Sequence, residues 1–556
     1  MTDQALEGAR IHPAAEMHAR EYAAGALGRR EFLTRATALG VTAAGAYALI
    51  GEPALAQAAP ETADGGTLRI QMIVRPMKDP RLWDWSQIAN VGRGWLEWLV
   101  EYQPDGTFKP MLLSGWEVSD DAAQYTLSVR PGVTWNNGDA FTAEDVAHNF
   151  RRWADTSLEG NSMATRMGDM VDPETGQMRE GVIEVVDELT LRLSLPSPNV
   201  ALIADVADYP AAIVHPSYEG GDFMGEGQAI GTGPYLPEAI EVGVRAVLVR
   251  GEHDWWGTPV FGRPALDRIE FIDFGTDPAG WLAAIDGGEV DMLYESVGEF
   301  IEVLDGLGLT KSEAVTAATV TVRPNQVAEV DGMRPYADAR VRRALQLATD
   351  NAVVLELGYA GRGIVAENHH VCPVQPEYAD IGPAEFDPEA ARALLEEAGM
   401  LDYEHVMTSL DDDFLRNTTD AVAAQLRDAG LNVRREILPG DTFWTNWTKY
   451  PFSSTNWAHR PLAIQTLNLG YRSGEPFNET GYANPEFDAL LSEALGIADA
   501  ERRSEVMERL ETMLREDGVI IQPYWQTISR HFVEGVTGAD MHPAYEIYPY
   551  KLGFIA

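Results

Sequence analysis

Helix-like segments that end in glycine and lead into strand-like segments recur through the second half of the chain. Asp387-Pro388 predicts the start of a helix that ends at Ala398-Gly399. Residues 420–428 have a helical pattern that ends at Ala429-Gly430, and residues 431–433 follow as a strand. Because helices and strands alternate in this way, the sequence predicts an α/β fold whose lobes are built on mixed sheets.

The first half of the chain carries the same kinds of signal. Residues 67–74 are predicted to form the first strand, and residues 125–129 and 189–195 alternate as half-buried strands do. Thr142 and Asp145 have the spacing of a capping box at the start of a helix. In the second half of the chain, Asn484-Pro485 predicts one more helix start.

A chain of 556 residues exceeds what a single hydrophobic core supports, so two or three lobes are expected. Residues 318–322 and 520–525 are interpreted as crossings between lobes. If both segments cross, the last stretch of the chain returns to the first lobe. The prediction is then a discontinuous first lobe, a continuous second lobe and a two-strand hinge.

Charge and cysteine content exclude several classes of partner and site. The chain has 86 acidic and 42 basic side chains and a net charge of −44, which disfavours binding to nucleic acid or to anionic lipid. Its one cysteine, Cys372, allows neither an intramolecular disulfide nor a multi-cysteine metal site. We therefore expect a small-molecule partner, no nucleic acid, no cofactor and no resident metal.

The N-terminus resembles a twin-arginine export signal. Arg29 and Arg30 are followed by Phe32-Leu33, an uncharged run over residues 36–51 and the small-x-small pattern of residues 54–56. The uncharged run is too short and too weakly apolar for a stable transmembrane helix. These features predict cleavage near Ala56 and a periplasmic protein that is not inserted into the membrane. The alternative is an ordinary amphipathic N-terminal helix.

Several sequence blocks then resemble the large extracytoplasmic solute-binding proteins of peptide and nickel ABC importers. The blocks occur in the order typical of that family across nearly the whole mature chain, at residues 127–138, 141–146, 231–235, 254–257, 264–269, 288–291, 339–345 and 424–433. Each block alone is weak, and their order makes the resemblance specific. It implies a periplasmic-binding-protein type of α/β fold and a monomer that delivers its solute to an inner-membrane permease with its ATPase.

The resemblance also implies how the chain divides, with an extra subdomain inserted in the first lobe. The expected segments are a signal peptide (1–56), the first part of lobe I (66–110), the inserted subdomain (111–226), the second part of lobe I (227–322), lobe II (323–518) and a return segment to lobe I (519–556).

The segment over residues 453–461 is the main candidate for solute binding. It lies where peptide-binding members of the family carry an aspartate-rich loop whose carboxylate pairs with the amino terminus of the peptide. No acidic residue occurs between Asp441 and Glu475 here, and His459-Arg460 stands in that neighbourhood. Since an arginine fork matches an oxyanion, we predict a solute with an anionic group. The alternatives are an interlobe salt bridge for Arg460 and a structural role for His459.

Other residues are expected to line the solute site through ring stacking or polar contacts. The candidates are Trp457, Trp444, Trp447, Trp83, Trp85, Ser86, Asn325, Gln326, His369 and His370. For the tryptophans of residues 444–457, packing within the lobe is the alternative. The His369-His370 pair near Cys372 raises a metal hypothesis, but neighbouring strand residues face opposite ways, so a polar cleft-lining loop is preferred.

The sequence predicts a binding protein without catalytic activity. It contains no Gly-x-Ser-x-Gly, His-Glu-x-x-His or phosphate-loop motif. The predicted solute is a peptide or a peptide-like, amino-acid-derived molecule. The alternatives are a nickel or metal-chelate binding protein of the same fold, a periplasmic peptide sensor or chaperone and, last, a periplasmic hydrolase.

Overall fold

The structure is a computed structural model that describes residues 11–52, 61–221, 223–225, 227–497 and 500–556. The predicted cleavage site at residues 54–56 and the predicted boundary at Glu226 lie outside the described residues.

The strands of the described chain are β1 Thr67–Gln71, β2 Val100–Tyr102, β3 Phe108–Pro110, β4 Leu113–Val118, β5 Gln124–Val129, β6 Ile183–Asp187, β7 Thr190–Ser194, β8 Tyr235–Glu241, β9 Arg245–Arg250, β10 Arg268–Ile272, β11 Met292–Leu293, β12 Thr310–Pro324, β13 Gly363–Val365, β14 His405–Leu410, β15 Val433–Leu438, β16 Phe452–Trp457, β17 Tyr524–Phe532, β18 Val536–Thr537 and β19 Gly553–Phe554.

The α-helices are α1 Pro13–Ala23, α2 Arg29–Ala38, α3 Ala43–Leu49, α4 Ser86–Gly92, α5 Ala143–Ala154, α6 Ser162–Met167, α7 Leu202–Asp205, α8 Thr258–Phe261, α9 Pro278–Asp286, α10 Phe300–Asp305, α11 Ala339–Leu347, α12 Asn351–Tyr359, α13 Pro388–Glu397, α14 Asp413–Asp428, α15 Gly440–Thr445, α16 Ala463–Gly470, α17 Pro485–Leu495 and α18 Ala500–Glu516.

The described chain forms two compact units, and the predicted mixed α/β class is confirmed. Unit 1 contains the chain up to Ser296 together with Phe300–Glu313 and Ser529–Ala556. Unit 2 contains Val297–Glu299 and Ala314–Ile528. Strands β12 and β17 each begin in one unit and end in the other. The predicted segment boundaries at residues 111, 226, 322 and 518 stay predictions.

Unit 1 contains a mixed sheet around its first strand. β1 is parallel to both β10 and β11, whereas β9 pairs antiparallel with β10 and with β8. The predicted first strand ends at Gln71 instead of Val74, because its partner β10 also ends there. Val74 N then donates to the Asp273 carboxylate at 2.8 Å.

A second, four-stranded antiparallel sheet of unit 1 has the order β4-β5-β7-β6. It lies within the segment predicted as an insertion. Helix α5 lies between β5 and β6 in the chain and begins with the predicted capping box, in which Thr142 N donates to Asp145 Oδ2 at 2.7 Å. This helix buries Val146, Phe150 and Trp153.

Unit 2 is built on strands in the order β15-β14-β16-β12-β17, with β13 also pairing with β17. β14 is parallel to β15 and to β16, and β12 is antiparallel to β16. The predicted helix starts at Asp387 and Asn484 are confirmed, and both side chains cap their helices. Helix α14 begins earlier than predicted, at Asp413, and β15 begins later, at Val433.

No helix in the described part of the chain combines the length and the apolar character that crossing a membrane requires.

Candidate ligand-binding site in unit 2

Two neighbouring strands of unit 2 present a row of polar side chains on one face of the sheet. Residues 319–323 alternate between polar and apolar types, so Val320 and Val322 enter the core while the polar positions face the other way. In β16, Trp457, Thr455 and Ser453 are opposite Thr319, Thr321 and Arg323 of β12. The pairing register therefore brings these six side chains onto one face.

A buried ion pair lies on this polar face. Arg323 Nε is 2.8 Å from Glu479 Oε2, and the two side chains are 0% and 3% exposed. Burial lowers the pKa of the Arg323 guanidinium, and the negative charge of Glu479 counteracts that effect. Removing two charges from water is costly, and here the cost is offset by the pair itself and by neighbouring donors.

Glu479 also receives hydrogen bonds from β16. Trp457 Nε1 donates to Glu479 Oε1 at 2.7 Å, and Thr455 Oγ1 donates to the same oxygen at 2.7 Å. Both bonds fix side chains on the polar face relative to the ion pair. Gly470 allows this position of the Trp457 ring, because a Cβ there would lie 2.9 Å from a ring carbon.

The imidazole of His370 contacts aromatic rings of this site. His370 Nδ1 is 2.7 Å from the hydroxyl of Tyr471, and the His370 ring lies 5.4 Å from Trp457 and 6.0 Å from Trp525, centroid to centroid. Burial and, to a smaller extent, the positive charge of Arg460 together lower the pKa of His370 to about 3. His370 is therefore neutral at neutral pH.

The predicted His459-Arg460 pair follows β16 directly and is buried. The Arg460 guanidinium carbon lies 5.7 Å from the centroid of the Trp457 ring, as in a cation–π contact. His459 Nδ1 accepts a hydrogen bond from Ala317 N at 3.0 Å. Gln375 Nε2 donates to the Arg460 carbonyl at 2.9 Å, which fixes the backbone of this segment.

Asn325 and Gln326 follow β12 and differ in how their amides are used. Asn325 Nδ2 donates to the carbonyls of Thr448 and Glu479, and its Oδ1 accepts from Val327 N, so this side chain holds the surrounding loops. The Nε2 atom of Gln326 is buried and has no hydrogen-bond partner within the described chain.

Trp444 and Trp447 are half-buried against the core of unit 2. Their ring centroids are 6.1 Å apart, and Trp447 contacts Phe477 at 5.6 Å. Phe477 in turn lies 6.4 Å from Trp457. A chain of aromatic rings therefore connects the predicted aromatic cluster with the polar face.

His369 points away from this group, although it is adjacent to His370. Its imidazole is fully buried between two carboxylates, at 3.4 Å from Glu511 and 3.6 Å from Glu367. Burial raises the pKa of Glu367 to about 7 and raises that of Glu511 well above its usual range. Among the described residues, no three His, Cys, Asp or Glu side chains are arranged to hold a metal ion.

Trp83, Trp85 and Ser86, the three candidates that follow β1 in the chain, lie in unit 1. Trp83 is fully buried, and its Nε1 donates to Lys78 O at 2.7 Å. Trp85 is half-buried beneath the Arg75 guanidinium at 4.2 Å, and Ser86 Oγ is 2.7 Å from the Tyr294 hydroxyl. Their assignment to the solute site stays a prediction.

Sequence reasoning missed Arg323 and Glu479. Arg323 had a usable signal, because it continues the polar register of Thr319 and Thr321 in a strand that alternates with core valines. Glu479 had none, since it lies just beyond the acid-free stretch and its neighbours along the chain do not reveal its burial.

Comparison with known proteins gives consistent matches. The family model of the bacterial extracellular solute-binding proteins, family 5 Middle, matches residues 107–477. The periplasmic oligopeptide-binding protein OppA of Salmonella typhimurium is 24% identical over 507 residues, which cover 83% of this chain and 88% of the relative.

Two further proteins widen the comparison. The nickel-binding periplasmic protein of Escherichia coli is 28% identical over 308 residues, and the match spans about half of each protein, 54% of this chain and 55% of that one. Haemophilus influenzae OppA, solved in complex with RPPGFSPFR, superposes with a TM-score of 0.78 at 19% identity, covering 89% of this chain and 100% of that structure.

Proposed function

Because this chain belongs to family 5 of the bacterial extracellular solute-binding proteins, we propose that it captures a small solute with an anionic group and delivers it to an ABC permease. The solute is a peptide or a peptide-like, amino-acid-derived molecule, bound without turnover. Arg460 beside Trp457 is the observation that carries the proposal, because a guanidinium fork next to a ring binds a carboxylate on a flat or cationic molecule.

The surroundings of Arg460 support an anionic group more than a free ammonium group. The buried carboxylate of Glu479 on the polar face is already paired with Arg323 and accepts hydrogen bonds from Trp457 and Thr455. Its negative charge is thus compensated. His370 is neutral, because burial lowers its pKa to about 3. The Glu479 carboxylate is therefore already engaged within the protein and is not set aside for an ammonium group of the solute.

Gln326 and the aromatic rings complete the proposed site. The buried Nε2 of Gln326 is a donor that a solute carbonyl would satisfy. Trp457, Phe477, Trp447 and Trp444 offer ring faces for an apolar or cationic part of the solute. Trp83, Trp85 and Ser86 of unit 1 remain proposed ligand-binding residues.

Native mass spectrometry of the protein purified from its own periplasm tests this proposal. We expect a co-purified small molecule that carries a carboxylate or a similar anion. Titration with that molecule and with its amide or ester analogue should show a loss of affinity for the neutral analogue. A co-purified solute without any anionic group would contradict the proposed ligand class, and turnover of the solute would contradict the proposal of binding alone.

A nickel chelate is the second candidate, since a curated relative is a nickel-binding periplasmic protein. In such a complex a chelating amino acid would supply the metal ligands, and its carboxylate would bind Arg460. Titration with nickel alone and with nickel plus excess histidine separates the candidates. Binding only in the presence of the chelator would favour the chelate, and no binding in either case would exclude it.

A further inference from the structure

The predicted export segment is folded onto unit 1. Helices α1, α2 and α3 form a small apolar cluster of their own, and Val118 of β4 packs against it. The buried members of the cluster are Ala15, Phe32, Leu33, Ala36, Leu39, Val41, Ala46 and Tyr47. The segment therefore has a small core of its own, which contacts the body of the protein through Val118.

Polar contacts fix this segment to the β2–β3 hairpin. Thr34 Oγ1 donates to Gly106 O at 2.8 Å, and Phe108 N donates to Thr37 Oγ1 at 2.9 Å. Both bonds are buried, and buried polar atoms are costly to leave unpaired. Further contacts join Arg30 to Tyr102, Tyr47 to Asp105, Ala38 to Trp116 and His12 to Ser119.

Docking covers the residues that define the export signal. Phe32 and Leu33, which follow the arginine pair, are 0% and 1% exposed. Arg30 Nη2 donates to the Tyr102 hydroxyl at 3.1 Å. Arg29 pairs with Glu52 at 2.6 Å within the segment itself. A receptor that reads the arginines and the two apolar residues together cannot reach all of them in this arrangement.

The hairpin turn is shaped for this contact. Gly106 has a φ of +92°, and a Cβ at this position would lie 2.7 Å from Arg30 Cγ and 2.8 Å from Thr34 Oγ1. Any side chain would therefore collide with helix α2. Gly138, also in unit 1, has a φ of +94° and no atom within 4 Å of a Cβ. The two glycines share the same backbone conformation and differ in what a side chain would meet.

We infer that unit 1 carries a docking site for the export segment of its own chain, formed by the β2–β3 hairpin and β4, and that docking masks the twin-arginine signal in the folded precursor. The export receptor must then displace residues 11–52 before it can bind them. Cleavage after export removes the segment and uncovers the site. The inference depends on the predicted signal and is independent of which solute is bound.

Amide hydrogen exchange of the full-length precursor tests the docking. We expect amides of residues 32–38 to exchange at least about tenfold more slowly than in a free peptide of residues 11–52. Gly106→Ala should remove most of this protection. Gly138→Ala, which has the same backbone strain, should leave it within about twofold of wild type. Equal exchange in precursor and peptide, or equal effects of the two alanines, would overturn the inference.

A substitution inside the segment guards against a general folding defect of Gly106→Ala. Thr34→Val removes the hydrogen bond to Gly106 O and leaves the body of the protein unchanged. It should also speed exchange in residues 32–38 while exchange in β4 and β5 stays as in wild type. Unchanged exchange in residues 32–38 of this variant would count against the docking contact.

Export kinetics test the masking. In a pulse-chase experiment, precursor carrying Thr34→Val should be processed faster than wild type, by at least about twofold. The double variant Arg29→Lys with Arg30→Lys should stay unprocessed. Processing of Thr34→Val at the wild-type rate would overturn masking even if docking is observed. Normal processing of the double lysine variant would overturn the export role of the segment, and with it the masking.

Discussion

A carboxylate removed from water needs a positive partner and hydrogen-bond donors, and Glu479 has both. Arg323 pairs with one of its oxygens, while Trp457 and Thr455 donate to the other. The carboxylate thus positions the ring that we propose as part of the solute site. Arg460 lies beside the same ring, and we propose that its guanidinium binds the anionic group of the solute.

Replacing Arg460 should weaken solute binding strongly. A charge-assisted bidentate pair in an enclosed site is among the stronger polar contacts, so Arg460→Ala should cost about 2–4 kcal/mol, or about 30- to 1,000-fold in affinity. Arg460→Lys should recover only part of this loss, because an ammonium group lacks the planar fork. Calorimetric titration with the co-purified solute measures both.

The exposed Arg434 of unit 2, which pairs with Glu404 at 3.3 Å, provides the matched control. Arg434→Ala should bind the solute like wild type. If Arg460→Ala binds within about threefold of wild type, Arg460 serves the packing of the protein and the anionic-solute proposal loses its main support.

Removing the charge of Glu479 should destabilise unit 2. Glu479→Gln keeps the shape of the side chain but leaves the buried Arg323 without a counter-charge, which typically costs about 3–5 kcal/mol. Hydrogen exchange of the β12 and β16 amides reports on this unit alone, which matters because two units need not unfold together. The surface variant Glu404→Gln should cost at most about 1 kcal/mol. Equal effects of the two variants would show that the buried pair is energetically unimportant.

The short segment over residues 367–370 takes part in two groups of buried contacts. The segment after β13 places Glu367 and His369 in one buried cluster and His370 against Trp457 and Tyr471. Neighbouring residues thus face different surroundings in a loop that begins where β13 ends, at Val365. The segment connects a group of ionisable side chains with the proposed solute site.

The protonation of Glu367 should make the stability of unit 2 depend on pH. Burial raises its pKa to about 7, against about 4.3 for an unfolded chain. The folded state therefore holds this proton at pH values where the unfolded state has lost it. Its contribution to stability is complete below about pH 4.3 and decreases as the pH rises towards 7.

Amide hydrogen exchange of unit 2 tests this pH dependence of stability. It is measured at about pH 5 and about pH 7 and corrected for the intrinsic exchange rates. Glu367→Gln should lose less stability over that interval than wild type, by about 1–2 kcal/mol, because the side chain is partly hydrated. His369 has the opposite effect on the pH dependence of stability, since burial lowers its pKa to about 3. Both proteins in this comparison contain His369. Parallel pH profiles for wild type and Glu367→Gln would refute the raised pKa.

At the scale of the whole molecule, two units are joined by strands that begin in one and end in the other. Members of a solute-binding family with this connectivity are expected to enclose the solute by rotation about the connecting strands. The monomeric state, the periplasmic location and the partner permease are further expectations at this scale.

Solute binding should compact the protein. If the units close on the solute, the radius of gyration from small-angle scattering should decrease when the co-purified solute is added. Arg460→Ala at the same solute concentration provides a control for non-specific effects. Identical scattering curves for wild type with and without solute, with binding shown by calorimetry, would refute closure.

Local signals in the sequence determined much of the secondary structure and the class of fold. The helix starts at Asp387, Asn484 and Thr142 are confirmed, because capping bonds form within a few residues of chain. The ordered blocks correctly identified the family, since such blocks preserve turns and packing positions along the whole chain.

The tertiary structure alone decided which charges are buried together and which side chains share a face. Glu479 and Arg323 lie on different elements and meet only when β12, β16 and the following loop pack together. The predicted export segment carries ordinary helix signals, and nothing in them reveals that Thr34 donates to the carbonyl of Gly106 in a distant hairpin. A side chain's desolvation depends on neighbours brought in by folding, and short-range sequence patterns do not contain that information.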